Sequence, residues 1–167
     1  MTTIVTQITQ DGEMNLPLQP GGNAYLSSST SNNATGDGTT YTVVFDTKNF
    51  DQGSNYNNST GTLTIPRTGN YLLIASVVLN NVGGGHTLGS IEFIINGSVL
   101  IGTSTYYNVS NVKDPANNCS LSGSIIYRLN AMDTVVVTVT VSGSSKTVGV
   151  FGSGSAHYTY FSFALLS

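Results

Sequence analysis

Charge is what this sequence is short of. Only five residues are Lys or Arg and eight are Asp or Glu, 8% of the chain, against about 25% in ordinary soluble domains. The formal net charge is -3, and the basic residues are scattered. A clustered basic face for a nucleic-acid backbone is therefore excluded, as is a polybasic or cationic amphipathic segment for a membrane surface. A single cysteine, Cys119, excludes an intrachain disulfide and a thiolate metal site. The longest apolar run, Tyr71 to Leu79, falls far short of the ~20 residues of a spanning helix. The opening residues, Met1 to Gln7, have neither a basic nor an apolar leader region, so export by a leader is not expected. The product is expected to be made in a cytoplasm and, if it works outside a cell, to leave by assembly and lysis or as a processed fragment.

Asn, Ser, Thr and Gly take the place of Lys and Glu, a composition suited to a durable extracellular or virion protein. The 167 residues, 39% hydrophobic, suit one domain able to bury a core without staples. Residues 1–23 read as an extended N-terminal arm. Ile4, Val5, Ile8, Leu16 and Leu18 are its apolar residues, and Pro17 and Pro20 disfavour helix there. The arm is expected to lie on a neighbouring subunit or a larger assembly.

Residues 24–167 read as strands throughout, nine to eleven of them, with no helix. Candidates are Ala24–Leu26, Tyr41–Phe45, Leu63–Ile65, Tyr71–Leu79, Ile91–Ile95, Val99–Ile101, Leu121–Leu129, Thr134–Val141, Val148–Phe151 and His157–Leu166. Asn96-Gly97 is a two-residue hairpin turn. Val135, Val137, Val139 and Val141 share one strand face. Tyr71–Leu79 is apolar on both faces, which predicts cover from the opposing sheet and from a neighbouring subunit.

The sequence holds no enzyme motif. Gly-x-Ser-x-Gly is absent. Gly143-Ser144-Ser145-Lys146-Thr147 lacks the glycine before the lysine of a phosphate loop and joins strands. His86 and His157 read as surface or packing residues, and Glu92 and Asp133 as strand-edge or turn residues. Tyr106 and Tyr107, read as an exposed loop, are the candidates for stacking on a ligand. No cofactor is expected. Calcium is the alternative, at the oxygen-rich segment Asp46 to Asn58, whose spacing is not that of an EF-hand.

One segment carries a signature. Phe45, Tyr56, Gly61, Pro66, Gly69 and Tyr71 form F-x10-Y-x4-G-x4-P-x2-G-x-Y, with Gly61 and Gly69 at turns. A positive φ is expected to be what Gly69 supplies. This pattern resembles the globular head of complement component 1q, a member of the tumour-necrosis-factor-like jelly rolls. Leu129 to Val135 is similar to that family's Leu-x-x-Gly-Asp-x-Val turn, with Met132 in place of the glycine. Phe161 to Leu166 is similar to its terminal strand, with Phe163 for a glycine, and Asn57 stands for the usual aspartate.

The resemblance spans roughly Ala24 to Leu166 and implies an all-β, two-sheet jelly-roll sandwich that forms a homotrimer. Tyr71, Leu73, Ala75, Val77, Leu79, Phe161, Phe163 and Leu165 are the expected interface or core residues. The expected role is non-enzymatic: a trimeric decoration protein or fibre head of a virus or phage particle, joined to other virion proteins through its arm and located in the virion. The alternative is a complement 1q-like recognition head, extracellular or at a cell surface, binding a glycan or a protein receptor.

Overall fold

The computed structural model describes residues 7–8, 14–15, 19–30, 33–99 and 105–167. Their strands are β1 (Gln7–Ile8), β2 (Met14–Asn15), β3 (Gly21–Tyr25), β4 (Thr40–Thr42), β5 (Thr47–Gln52), β6 (Tyr56–Asn57), β7 (Thr62–Thr64) and β8 (Gly69–Asn80). They continue with β9 (Leu88–Ile95), β10 (Ser98–Val99), β11 (Thr105–Tyr107), β12 (Cys119–Leu129), β13 (Thr134–Ser142), β14 (Gly149–Phe151) and β15 (Tyr160–Leu165). A single helical turn, α1 (Val109–Val112), precedes β12.

Two antiparallel sheets form a jelly roll. One runs β12-β8-β15-β3-β5, with β14 also on β8; the other runs β10-β9-β13-β7-β6, with β11 on β9 and β4 on β13. β1 and β2 pair only with each other among the named strands. The apolar arm residues Ile4, Val5, Leu16 and Leu18 lie outside the described residues, and Ile8 is described only as backbone, opposite Met14.

Strand alternation builds the core. Tyr71, Leu73, Ala75, Val77 and Leu79 of β8 face Val135, Val137, Val139 and Val141 of β13 across the sandwich, and all are buried. Phe161 sits among four other rings, with centroids of Phe45, Tyr56, Phe93 and Phe163 at 5.9–6.1 Å. Such spacing suits tilted aromatic packing.

The signature residues have mechanical roles. The Tyr56 hydroxyl accepts the buried Phe45 N–H at 3.0 Å, so the x10 spacing measures one chain reversal. The Asp51 carboxylate shapes that reversal, accepting the N–H groups of Asn55 and Tyr56 at 2.9 and 3.1 Å. The Tyr71 hydroxyl donates to the Arg67 carbonyl at 2.9 Å. Gly61 takes φ +73. Gly69 does not take a positive φ. Its constraint is close approach: a Cβ there would lie 2.6 Å from the Ser167 carbonyl oxygen, where the chain end pairs with Asn70 through Asn70 N–H to Ser167 O at 2.7 Å. Met132, at the motif's glycine position, has φ +75, and its N–H donates to the Ile65 carbonyl at 2.7 Å.

The structure corrects several strand expectations. Thr47 to Gln52 and Tyr56–Asn57, read as an oxygen-rich loop, are strands β5 and β6. Their polar side chains hid them, because β5 is a sheet edge with much of its surface in water and needs no apolar alternation. The Tyr41–Phe45 strand ends at Thr42, although Val43 and Phe45 remain buried. Tyr106 and Tyr107 belong to a strand, with Tyr106 opposite Ser90 and Tyr107 opposite Gly89 of β9. The Asn96-Gly97 turn does join β9 to β10, with φ of +50 and +76.

Candidate functional site: the outer face of the six-stranded sheet

In a sandwich, each strand sends alternate side chains away from the core. On the six-stranded sheet the registers assemble the outward set into rows. One row is Phe50, Asn23, Ser162, Ile74 and Ser124; the next is Gln52, Gly21, Ala164, Leu72 and Ile126. A third holds Tyr25, Tyr160, Ser76 and Ser122. No charged side chain stands in these three rows. Phe50 is 57% and Ile126 61% exposed. Large apolar groups in water within charge-free rows mark an interaction surface.

The face has relief. A groove of about 390 Å³ runs over Gly22, Asn23, Ser162 and Ala164, between Phe50 on one side and Leu72 and Ile74 on the other. Across Ile74, a second hollow of about 390 Å³ is rimmed by Tyr107, Ser122, Ser124 and Tyr160. At the end of the row, Tyr25 stacks on His157 with ring centroids 3.6 Å apart and planes 18° apart. A third hollow, about 530 Å³, lies elsewhere, between Lys48, Asn55–Asn58, Pro66 and Met132.

The architecture now has a counterpart among known families. The sequence model of the C1q domain matches residues 24–166. The chain belongs to the C1q domain family. Its fold is similar to the globular domain of the zebrafish complement 1qA protein, with TM-score 0.59 and 15% identity, over 89% of this chain and 98% of that one. It is similar too to murine APRIL, whose pH 8.5 structure gives TM-score 0.57 at 14% identity and whose pH 5.0 structure gives 0.59 at 15%. Both comparisons cover 89% of this chain and 99% of the other. No curated protein matches the sequence.

Within this C1q domain the sequence-expected residues fall in distinct places. Tyr71, Leu73, Ala75, Val77, Leu79, Phe161 and Phe163 fill the chain's own core, and Leu165 packs partly buried against it. The same strands present Leu72, Ile74, Ser76, Ser162 and Ala164 outward. Alternation in the sequence carries that division, but period alone does not say which set faces the second sheet. Tyr107 is 40% exposed and lines the hollow beside Ile74; Tyr106 is described only as backbone.

The oxygen-rich segment spends its carboxylates on itself. Asp46 accepts the Ser27 N–H and hydroxyl, each at 2.9 Å, and Asp51 holds the turn described above and pairs with Lys48 at 2.8 Å. Among the described residues no three His, Cys, Asp or Glu side chains gather to hold a metal ion. His86 is buried; its Nδ1 accepts the Gly83 N–H at 2.8 Å, which leaves Nε2 to donate to the Ser145 carbonyl at 3.1 Å. It ties two loops together as a packing residue.

Burial drives the titration behaviour. Desolvation pushes the phenols of Tyr56, Tyr71 and Tyr41 above their ordinary value of 10.0. An acid whose folded pKa is raised binds its proton more tightly in the native state, so its contribution is complete below pH 10 and is lost as pH rises further. The C1q domain should therefore unfold cooperatively in alkali, with the last tyrosinate absorbance at 295 nm appearing together with loss of the far-ultraviolet dichroism. Full titration of all nine tyrosines with the dichroism intact would contradict this.

Proposed function

We propose that this C1q domain is the subunit of a homotrimeric, non-enzymatic recognition module whose copies meet through the outer face of the six-stranded sheet. The observation that carries the proposal is the set of charge-free rows in which Phe50 and Ile126 are exposed and Leu72 and Ile74 are half-buried between them. A three-fold assembly would cover them with equivalent surfaces, and each copy's remaining loops would stay available for a glycan or a protein receptor. β12 adds to this reading: it is the edge of its sheet, and Ile126 and Tyr127 are exposed along it. An open strand edge of 11 residues invites a neighbour. The module would work at or outside a cell surface. Among the described residues no helix is long and apolar enough to cross a membrane.

Decoration of a virus or phage particle, the role expected from the sequence, draws on the low charge of the chain and on the arm residues Ile4, Val5, Ile8, Leu16 and Leu18. No feature of the described surface favours it over recognition.

Light scattering at micromolar concentration should give three times the chain mass of 17.5 kDa; a mass of one chain would refute the proposal. Ile74→Asp should convert the trimer to folded monomers. The new carboxylate remains hydrated in a monomer, whereas burying it at each contact costs several kcal/mol.

A further inference from the structure

We propose that the hollow between Lys48, Asn55–Asn58, Pro66 and Met132 binds a neutral oligosaccharide. The inference rests on the recognition reading above and gives it a site and a ligand class.

The hollow is built by one chain. The β5–β6 turn supplies Ser54 and Asn55, β6 supplies Asn57, the turn after it Asn58, and the β12–β13 turn Met132. None of the residues in the charge-free rows lines it, so it is a separate surface from the proposed contact between copies. Its volume of about 530 Å³ lies within the roughly 300–1,000 Å³ of small-ligand sites.

Backbone strain gathers here. Among the described residues seven non-glycine residues have positive φ; four are Asn and one is His, types that enter that region readily. The other two, Ser54 at φ +55 and Met132 at φ +75, both line this hollow. Strain of this kind clusters at ligand sites, where the side chain is needed in place. Met132 is also 76% exposed, so it contributes little to the chain's own core.

The polar groups of the hollow are fixed in place. Asn55 Nδ2 donates to the Gln52 carbonyl at 2.8 Å, Asn58 Nδ2 donates to the Asp46 carbonyl at 2.7 Å, and Asn57 Oδ1 accepts the Ser59 N–H at 2.9 Å. Each carboxamide is held by one end and has the other to offer: two acceptors, Asn55 Oδ1 and Asn58 Oδ1, and one donor, Asn57 Nδ2. Pro66 and Met132 add apolar surface. A pyranose ring matches both, with hydroxyls around its edge and C–H groups on its face. An anion finds little attraction, because Lys48, the one charged residue among the described lining, is paired with Asp51 at 2.8 Å. An extended peptide is served poorly as well. β6 ends its sheet but is two residues long. The N–H groups of Asn55 and Tyr56 go to Asp51, and the carbonyls of Asn55 and Asn57 accept the N–H groups of Thr64 and Gly61. Little backbone remains for strand addition.

The test exposes the labelled full chain to immobilised neutral oligosaccharides, anionic oligosaccharides and peptides. Retention on at least one neutral oligosaccharide is expected. Met132→Gly should weaken that retention about tenfold or more, as loss of an apolar contact would, while its urea midpoint holds or rises because glycine relieves the turn. Asn57→Asp keeps an acceptor for the Ser59 N–H and removes the donor, so it should weaken retention with the fold intact. No retention on any neutral oligosaccharide, retention on anionic oligosaccharides or peptides alone, or neutral retention that either variant leaves unchanged would overturn the inference. Light scattering on the same samples separates the two readings. A trimer without retention sinks this inference and leaves the trimer standing; a monomer whose retention depends on Met132 does the reverse.

Discussion

Phe161→Ala should lower the stability of the domain by about 3–5 kcal/mol, the cost of removing a large ring and leaving the cavity behind. Four other aromatic rings lie within 6.1 Å of this side chain, from four different strands or loops. Against a total of roughly 5–15 kcal/mol for an ordinary domain, the variant would sit near the edge of folding. Urea unfolding should show a much lower midpoint at nearly constant slope, and an unchanged midpoint would remove Phe161 from the centre of the core. The consequence reaches the surface, because β15 carries Phe161 and Phe163 inward and Ser162 and Ala164 outward. Loss of the ring frees the strand that floors the Phe50 groove.

Gly61→Val should cost about 2–6 kcal/mol through two separable effects. The backbone stands at φ +73, where a branched side chain is strained by about 1–3 kcal/mol. The added Cβ would also lie 2.9 Å from the Val43 carbonyl oxygen, which is backbone and yields poorly, adding overlap of about 1–3 kcal/mol. Gly97 provides the control. Its φ of +76 is similar, yet nothing lies within 4 Å of its Cβ position. Denaturation of Gly61→Ala and Gly97→Ala side by side should show the first destabilised more, and equal losses would mean that the Val43 contact contributes nothing.

These two sites differ in how far the sequence announces them. Gly61 was readable as a turn glycine because Asn57-Asn58-Ser59-Thr60 precedes it and alternating Leu63 and Ile65 follow. Gly69 was readable as a constrained position but not for the right reason. Its limit comes from Ser167, 98 residues away along the chain, and no local pattern reports that approach. Met132 shows the converse: a non-glycine residue holds the left-handed turn, with its N–H on Ile65, and the side chain stays 76% exposed.

By itself the sequence determined the all-β class, the hairpin signature, the Asn96-Gly97 turn and the shared valine face of β13. Each of these is a local matter, a steric demand at a turn or a side-chain period of two. Only the tertiary structure decided which half of β8 is core and which half is surface. Leu72 and Ile74 are as apolar as Leu73, and the difference is that the second sheet covers one side. It also decided the candidate interface, whose rows draw on β3, β5, β8, β12 and β15, segments spread from residue 21 to residue 165. Strand pairing joins residues by register and not by sequence distance. A set of charge-free rows made that way exists in no single stretch of the chain.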